Sequence, residues 1–473
     1  MLLTLLLAGG LCADSSSSMA GAFSRPAWQP ALVQRFEYSG FIYDDWEHVA
    51  AADEASAGLR SVEPPLHYRF RVRLPEDLTG LIRSSSPARQ DARTTGRADP
   101  GRRSLATGPA GVIDLQSLED RRFPLRVVLH PIGGDYAVHD RRLEGWIVLY
   151  LDDNTPGLPA GGHSGWFGYH DAMPDPPGPA SRVEPYTLRR VLRTVDWVMQ
   201  TYPVDPDGVS LYGSSMGGGG VLMLALLYPE RFATAHAISP PVDARLSPFS
   251  LAVAQQLWGP VNMDLPVGVL PEDCMERFAG STSPARRMAE DQRVGRLSIW
   301  RLQAMAALVA CFDPARPWLC VQTGTADDRI SIAQFLCGVD GLPSFLDAWK
   351  QGRNYGVFQM DERGHGPETR PRDWSGAVGW LRRPMHRRQV RATPADGFVR
   401  ILGHTDGWTE RPLADWTAQG PLPRRLLVYS SDFSPKPMES PSSFRGPLIA
   451  VLAGLVVLLA GAVALAIRSQ RGR

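Results

Sequence analysis

From residue 125 onward, short uninterrupted apolar runs alternate with segments whose apolar residues recur at helical spacing. The runs Leu125 to Leu129, Trp146 to Leu151, Val209 to Tyr212, Ala233 to Ile238, Trp318 to Gln322 and Tyr355 to Met360 read as buried strands. Between them, Leu188, Val191, Leu192, Val195 and Val198 mark one face of a helix that ends before Pro203, and Met216 to Leu227 forms a second helix of small and apolar residues. Strands alternating with helices predict a mostly parallel sheet covered by helices on both faces. Upstream, His67 to Leu74 alternates strictly, Tyr68, Phe70 and Val72 against Arg69, Arg71 and Arg73, as a half-buried edge strand does.

The same pattern divides the chain. Residues 23–124 hold the N-terminal strand region, with a stretch at 77–110 rich in Ser, Arg, Gly, Pro and Thr that reads as an exposed, disordered insertion. Residues 125–383 form the core. Within it, residues 243–313 interrupt the strand alternation with helical stretches, Leu251 to Leu257 and Val294 to Cys311, and predict a helical lid over the carboxyl edge of the sheet. Residues 384–433 form a small extension with strand-like pieces Phe398 to Leu402 and Arg425 to Tyr429, and 434–447 is a Pro/Ser linker.

Two apolar segments bear on cellular address. Residues 448–467 are twenty uncharged, mostly aliphatic residues, long enough at 1.5 Å per residue to cross the roughly 30 Å hydrocarbon core. Arg468, Arg471 and Arg473 follow, so the expected topology is a single span, a cytoplasmic tail at 468–473 and a catalytic body outside the membrane. Residues 1–22 carry a short apolar stretch and then small residues, as a secretory signal does, although no basic residue precedes the stretch; the alternative is a start at Met19. With Cys12 in that segment, Cys274, Cys311, Cys320 and Cys337 remain, an even number compatible with one or two disulfides.

Composition narrows the partners. A net charge of +1 and a charged fraction of 21% supply no basic face for phosphates, so no nucleic acid is expected. Scattered histidines and the lack of a Cys/His cluster imply neither a metal nor a cofactor.

The chemistry centres on Gly213-Ser-Ser215-Met-Gly217, which lies where a strand meets a helix. Such a turn exposes Ser215 above the sheet, flanking glycines relieve the crowding, and the Met216 N–H at the helix N-terminus faces a developing oxyanion. A serine nucleophile needs a base and an orienting carboxylate. After the strand Trp318 to Gln322 comes Thr323-Gly-Thr-Ala-Asp327-Asp328, offering either aspartate, and after Tyr355 to Met360 comes Gly364-His365-Gly366. Nucleophile, acid and base thus follow successive strands in the order Ser, Asp, His.

In these segments, together with Asp205 to Gly218 and Tyr228-Pro-Glu-Arg-Phe232, the chain resembles the α/β-hydrolases over roughly residues 60 to 383. It is most similar to prolyl-oligopeptidase-type catalytic domains and to feruloyl-esterase and polyhydroxybutyrate-depolymerase-like esterases. The resemblance implies Ser215 as nucleophile, His365 as base and then acid, and Asp327, the first aspartate of its turn, as the orienting carboxylate. His130-Pro-Ile132-Gly133-Gly134 is similar to the family's HGxG oxyanion loop. Proline stands where a glycine is usual and has no N–H, so the second donor is Ile132 or Gly133. The aromatic residues of Gly161 to Asp171, namely Trp166, Phe167 and Tyr169, serve either as a substrate platform or as packing against the lid.

The expectation is therefore a membrane-anchored serine hydrolase acting on a small-molecule ester or peptide substrate, with a carboxylic-ester hydrolase favoured because about 110 residues ahead of the core cannot build a substrate-screening propeller. A serine peptidase is the first alternative, and a non-catalytic surface binding protein on the same scaffold the second.

Overall fold

The computed structural model describes residues 28–50, 66–79, 102–105, 121–137, 145–154, 162–173, 175–271, 274–279, 284–311, 316–324, 327–351, 356–361, 364–365, 398–403 and 425–430. Its strands in chain order are β1 (Ala31–Tyr38), β2 (Phe41–Ala50), β3 (Leu66–Arg73), β4 (Arg102–Leu105), β5 (Phe123–Leu129), β6 (Ile147–Leu151), β7 (Tyr169–His170), β8 (Val183–Glu184), β9 (Val204–Ser214), β10 (Thr234–Ile238), β11 (Trp318–Gly324), β12 (Gly356–Asp361), β13 (Phe398–Gly403) and β14 (Arg425–Ser430). The helices are α1 (Tyr186–Thr201), α2 (Met216–Leu227), α3 (Pro248–Trp258), α4 (Pro284–Arg293), α5 (Ile299–Gln303), α6 (Ala306–Val309), α7 (Ala333–Leu336) and α8 (Phe345–Gln351).

Twelve of the described strands form one sheet in the order β13-β14-β12-β11-β10-β9-β5-β6-β3-β2-β1-β4, with β7 and β8 as a separate pair. From β13 to β6 every pairing is parallel; from β6 to β4 every pairing is antiparallel. Alternation along β5 explains the layering. Leu125, Val127 and Leu129 enter one continuous core with Ile147 and Leu149 of β6, Leu188, Val191 and Val195 of α1, and the apolar residues of α2. Arg126 points to the opposite face, where its guanidinium lies 4.6 Å from the Trp146 ring centroid and 5.8 Å from that of Tyr212.

The N-terminal strands depart from expectation. β3 is interior rather than an edge, because Ser39 and Gly40, at φ 53° and 89°, turn β1 into β2 and lay that hairpin alongside it. On the arginine side of β3, Arg69 is exposed but Arg71 and Arg73 are buried: Asp45 stands opposite Arg71 in the register and accepts from its Nε at 2.6 Å, while Arg73 lies over the Phe41 ring at 4.4 Å. A two-residue period separates the faces of a strand but does not say which face is wet. The hairpin is tied to the core through Asp44, which binds Arg35 and accepts from the Tyr202 hydroxyl at 2.8 Å just beyond α1.

The span 77–110 is not wholly an exposed insertion: residues 76–79 form a helical turn with Leu78 fully buried, and Arg102–Leu105 pairs with β1. The two strand pieces expected within 384–433 form, and β14 pairs in parallel with β12 and β13 with β14, so they continue the main sheet.

In the lid region α3 forms as expected, started by the Ser247 hydroxyl and Pro248 and ended by Gly259 at φ 78°. The single helix expected over 294–311 is broken. Ser298 caps α5, and the chain bends at Ala304 and Met305, whose N–H is drawn to Val242 O at 3.0 Å just past β10. Cys274, Cys311, Cys320 and Cys337 are all free thiols, which replaces the expectation of disulfides, and burial pushes the Cys320 thiol well up. Among the described residues no helix is long and apolar enough to cross a membrane; the segments 1–22, 434–447, 448–467 and 468–473 lie outside the described residues.

Candidate active site

Strand β9 ends at Ser214 and α2 begins at Met216, leaving Ser215 alone in the turn at φ 54°, ψ −123°. This is a left-handed conformation that a residue with a side chain adopts only when its surroundings impose it. The imposition is visible: Ser215 N–H donates to Ile238 O of β10 at 2.8 Å, and Gly219 N–H donates back to Ser215 O at 3.1 Å. Sharpness requires glycines on both sides. A Cβ at Gly213 would lie 2.4 Å from Gly217 O, and one at Gly217 would lie 2.1 Å from Leu129 O.

His365, four residues past β12, brings Nε2 to 2.9 Å from Ser215 Oγ, and its Nδ1 lies 2.8 Å from Asp327 Oδ2. The other carboxylate oxygen of Asp327 accepts the N–H groups of Arg329 at 2.9 Å and Ile330 at 2.7 Å. Burial works to raise the Asp327 carboxyl, but the bond from His365 and those two N–H groups outweigh it and hold the group below its ordinary value. Asp328 is exposed, so of the two aspartates Asp327 faces the histidine. A buried carboxylate on Nδ1 fixes the imidazole with Nε2 toward the serine oxygen, the arrangement needed to withdraw its proton.

Two backbone N–H groups beside the serine were expected to hold an oxyanion. Met216 occupies the first position of α2, where its N–H has no partner within the helix. In the other loop the expectation of Gly133 is corrected: its N–H donates to His163 Nε2 at 2.9 Å. Gly134 N–H is taken by Pro131 O at 3.0 Å and Pro131 has none, which leaves Ile132. Ile132 lines the same cavity as Ser215 and Met216.

That cavity, about 650 Å³ including its mouth, is walled by Phe249, Val253, Leu257 and Trp258 of α3, with Phe167 opposite. None of the described residues lining it carries an ionisable side chain. The aromatic segment therefore splits: Phe167 reaches the cavity, whereas Trp166 and Tyr169 do not. Trp166 donates from its indole to His130 O at 3.0 Å, and Tyr169 donates to Gly162 O at 2.6 Å and stacks on Tyr186 with centroids 5.3 Å apart. Both are internal supports, since a buried Trp or Tyr places its polar tip on a partner and spends its ring on packing. The sequence reading missed Phe249, on a helix turn identical in type to any amphipathic start, and His163 and Asp153, for which no local signal exists. Among the described residues no group of acidic, histidine or cysteine side chains is disposed to hold a metal.

A mostly parallel sheet, a serine at a strand-to-helix turn, and an aspartate and histidine delivered by later strands give this chain the architecture of the α/β-hydrolase fold class. Within that class, the family model described as "Putative esterase" matches residues 186–366, which include Ser215, Asp327 and His365. No curated protein matches the chain. Solved structures similar to it include an S-formylglutathione hydrolase from Agrobacterium tumefaciens, 16% identical over 75% of this chain and 99% of that one at a TM-score of 0.43. An acetyl xylan esterase from Paenibacillus sp. R4 is 15% identical over 75% of this chain and 87% of that one, at 0.36. Porphyromonas gingivalis dipeptidyl peptidase 4 is 13% identical over 67% of this chain and 33% of that one, also at 0.36.

Proposed function

We propose that this chain is a carboxylic-ester hydrolase that works through an acyl-enzyme on Ser215. The observation that carries the proposal is the hydrogen-bonded line from Ser215 through His365 to Asp327 at the edge of an apolar cavity free of charged lining among the described residues. His365 Nε2 takes the Ser215 proton as Oγ attacks the ester carbonyl; the carbonyl oxygen, now negative, lies against the Met216 and Ile132 N–H groups. The proton then passes from His365 to the departing alcohol; a water molecule, deprotonated by the same nitrogen, attacks the acyl carbon, and as the bond to Ser215 Oγ breaks that proton returns from His365 to Oγ and the carboxylic acid is released. Asp327, kept ionised, stabilises the imidazolium in both steps. Among the described residues lining the cavity none is a carboxylate that could grip an amino terminus, which favours an uncharged acyl group over an aminoacyl one.

Purified protein should be labelled at Ser215 by a fluorophosphonate and should turn over p-nitrophenyl esters of graded acyl length faster than aminoacyl amides. Faster turnover of the amides would make it a peptidase; no labelling would leave a binding protein on a hydrolase scaffold.

Helix α3 sets the length preference. Phe249 is 41% exposed and Val253 half-buried, so F249A and V253A should leave the melting temperature nearly unchanged. Both should alter the ratio of kcat/KM on long and short esters, by about fourfold for each acyl methylene that gains or loses a contact. An unchanged ratio would remove α3 from the acyl site.

We also infer an integral membrane anchor from the twenty-residue apolar stretch at 448–467. Deleting 447–473 should release soluble, active enzyme, whereas extraction of the full chain by high salt alone would refute the anchor.

A further inference from the structure

The segment that supplies Phe167 to the cavity also holds the oxyanion loop from behind. Asp153, just past β6, donates its N–H to His130 Nε2 at 2.9 Å, and its carboxylate accepts the N–H groups of Ser164 at 2.9 Å and Trp166 at 3.1 Å together with the Ser164 hydroxyl. His130 Nδ1 lies 2.8 Å from Pro131 O, which assigns its proton to that nitrogen. Loops 130–134 and 162–166 are thus joined through one buried aspartate, and two direct bonds also tie them, first the Trp166 indole N–H on His130 O at 3.0 Å and second the Gly133 N–H on His163 Nε2 at 2.9 Å. His163 is buried, at 4% exposure.

The N–H groups of the oxyanion loop explain why that second tie matters. Pro131 has none, Gly134 is bonded to Pro131 O, and Gly133 is at φ 78°, a conformation that swings easily because no Cβ resists it. The peptide carrying the Ile132 N–H is held at its Pro131 O end by Gly134 N–H at 3.0 Å and by His130 Nδ1 at 2.8 Å, and the next peptide is held by Gly133 N–H on His163, so releasing Gly133 would leave the loop anchored on one side of Ile132. We propose that His163 is a positioning residue of the oxyanion hole, accepting the Gly133 N–H so that the Ile132 N–H, one peptide earlier, stays beside Ser215 for the carbonyl oxygen of the substrate. The inference rests on the ester-hydrolase reading of that site.

The role requires a neutral imidazole, because a protonated ring has two donors and no acceptor. Burial lowers the affinity of His163 for a proton below that of an ordinary histidine, and neighbouring His130 lowers it further; Asp153 and Asp152 pull the other way, with Arg190 3.8 Å from Asp153. At neutral pH Nε2 keeps its lone pair. The acceptor is lost only on acidification below the usual histidine range.

The test compares H163L, which removes the acceptor, with H163Q, which retains an acceptor at about the reach of Nε2 and cannot titrate. For H163L, kcat on a short p-nitrophenyl ester and the bimolecular rate of fluorophosphonate labelling should both fall by about 10- to 100-fold, with KM within about twofold of wild type, as misplacing one oxyanion donor costs at most what deleting it costs. H163Q should recover most of both rates. On the acid side, log kcat of the wild type should fall more steeply than that of H163Q, whose amide at this position cannot titrate.

Wild-type labelling and turnover by H163L would overturn the proposal, as would equal losses in H163L and H163Q accompanied by equal drops in melting temperature, since His163 would then only fill space. If H163L does not fold, the H163Q profile decides: an acid limb as steep as the wild type's overturns the role. A wild-type protein that no fluorophosphonate labels takes down the hydrolase reading itself, and this inference with it, whereas the other outcomes leave that reading standing.

Discussion

Replacing Ser215 by alanine is expected to lower kcat on p-nitrophenyl esters by about 10⁴- to 10⁶-fold, and His365 by alanine by a similar factor, because groups that act as a unit lose nearly everything when either is removed. The physical basis is the 2.9 Å contact of His365 Nε2 with Ser215 Oγ, without which no base meets the hydroxyl. Asp327→Asn should cost about 10³- to 10⁴-fold: with the amide oxygen kept by the backbone N–H groups of Arg329 and Ile330, the amide NH2 faces Nδ1 and donates to it, which sets the wrong tautomer and leaves no charge to neutralise the imidazolium. Asp328→Asn serves as the matched control and should change kcat by less than about twofold, being exposed. Steady-state kinetics with melting temperatures for all four variants decide the matter. A larger loss in Asp328→Asn than in Asp327→Asn would reassign the acid.

Gly217→Ala should be the most damaging small substitution in the site. The added methyl would sit 2.1 Å from the Leu129 carbonyl oxygen and 2.8 Å from that of His130, both backbone atoms that no rotamer change can move aside. Either α2 retreats from β5 or the oxyanion loop is displaced, and overpacking of this kind costs about 3 kcal/mol or more, on the order of 10 °C in melting temperature for a domain of this size. Activity should fall along with stability, because Leu129 and His130 lead directly into Ile132. The comparison is Gly178→Ala, where a Cβ would meet nothing within 4 Å and the backbone is not left-handed. Calorimetry and ester turnover on the two variants test the elbow directly; native stability and activity in Gly217→Ala would mean that helix and strand are not this close.

Much of the site was legible because its chemistry is tied to strand ends. Short apolar runs fix where β5, β6, β9, β10, β11 and β12 lie, and each catalytic group follows one of them, so order along the chain translates into position along the sheet's carboxyl edge. The choice between Asp327 and Asp328 was not a sequence property. It depended on which carboxylate the backbone N–H groups of residues 329 and 330 turn inward.

What periodicity could not reach were contacts between segments far apart in sequence. β3 became interior because a two-residue turn at Ser39 and Gly40 brought a hairpin beside it, and Arg71 and Arg73 were buried because Asp45 and the Phe41 ring of that hairpin met them. The helix expected over 294–311 broke where Met305 found Val242, 63 residues earlier in the chain. Trp166 and Tyr169 looked like a platform by composition, and only the carbonyls of His130 and Gly162 made them supports. The sequence by itself determined the strand-and-helix alternation, the serine elbow and the order of nucleophile, acid and base, since these depend on local spacing and on what glycine permits. Tertiary structure alone decided which N–H groups of the loop after β5 are already bonded, which aromatic ring lines the cavity beside Ser215 and which arginines are buried, because each is settled by a hydrogen bond or ring contact whose partner the chain supplies from another element.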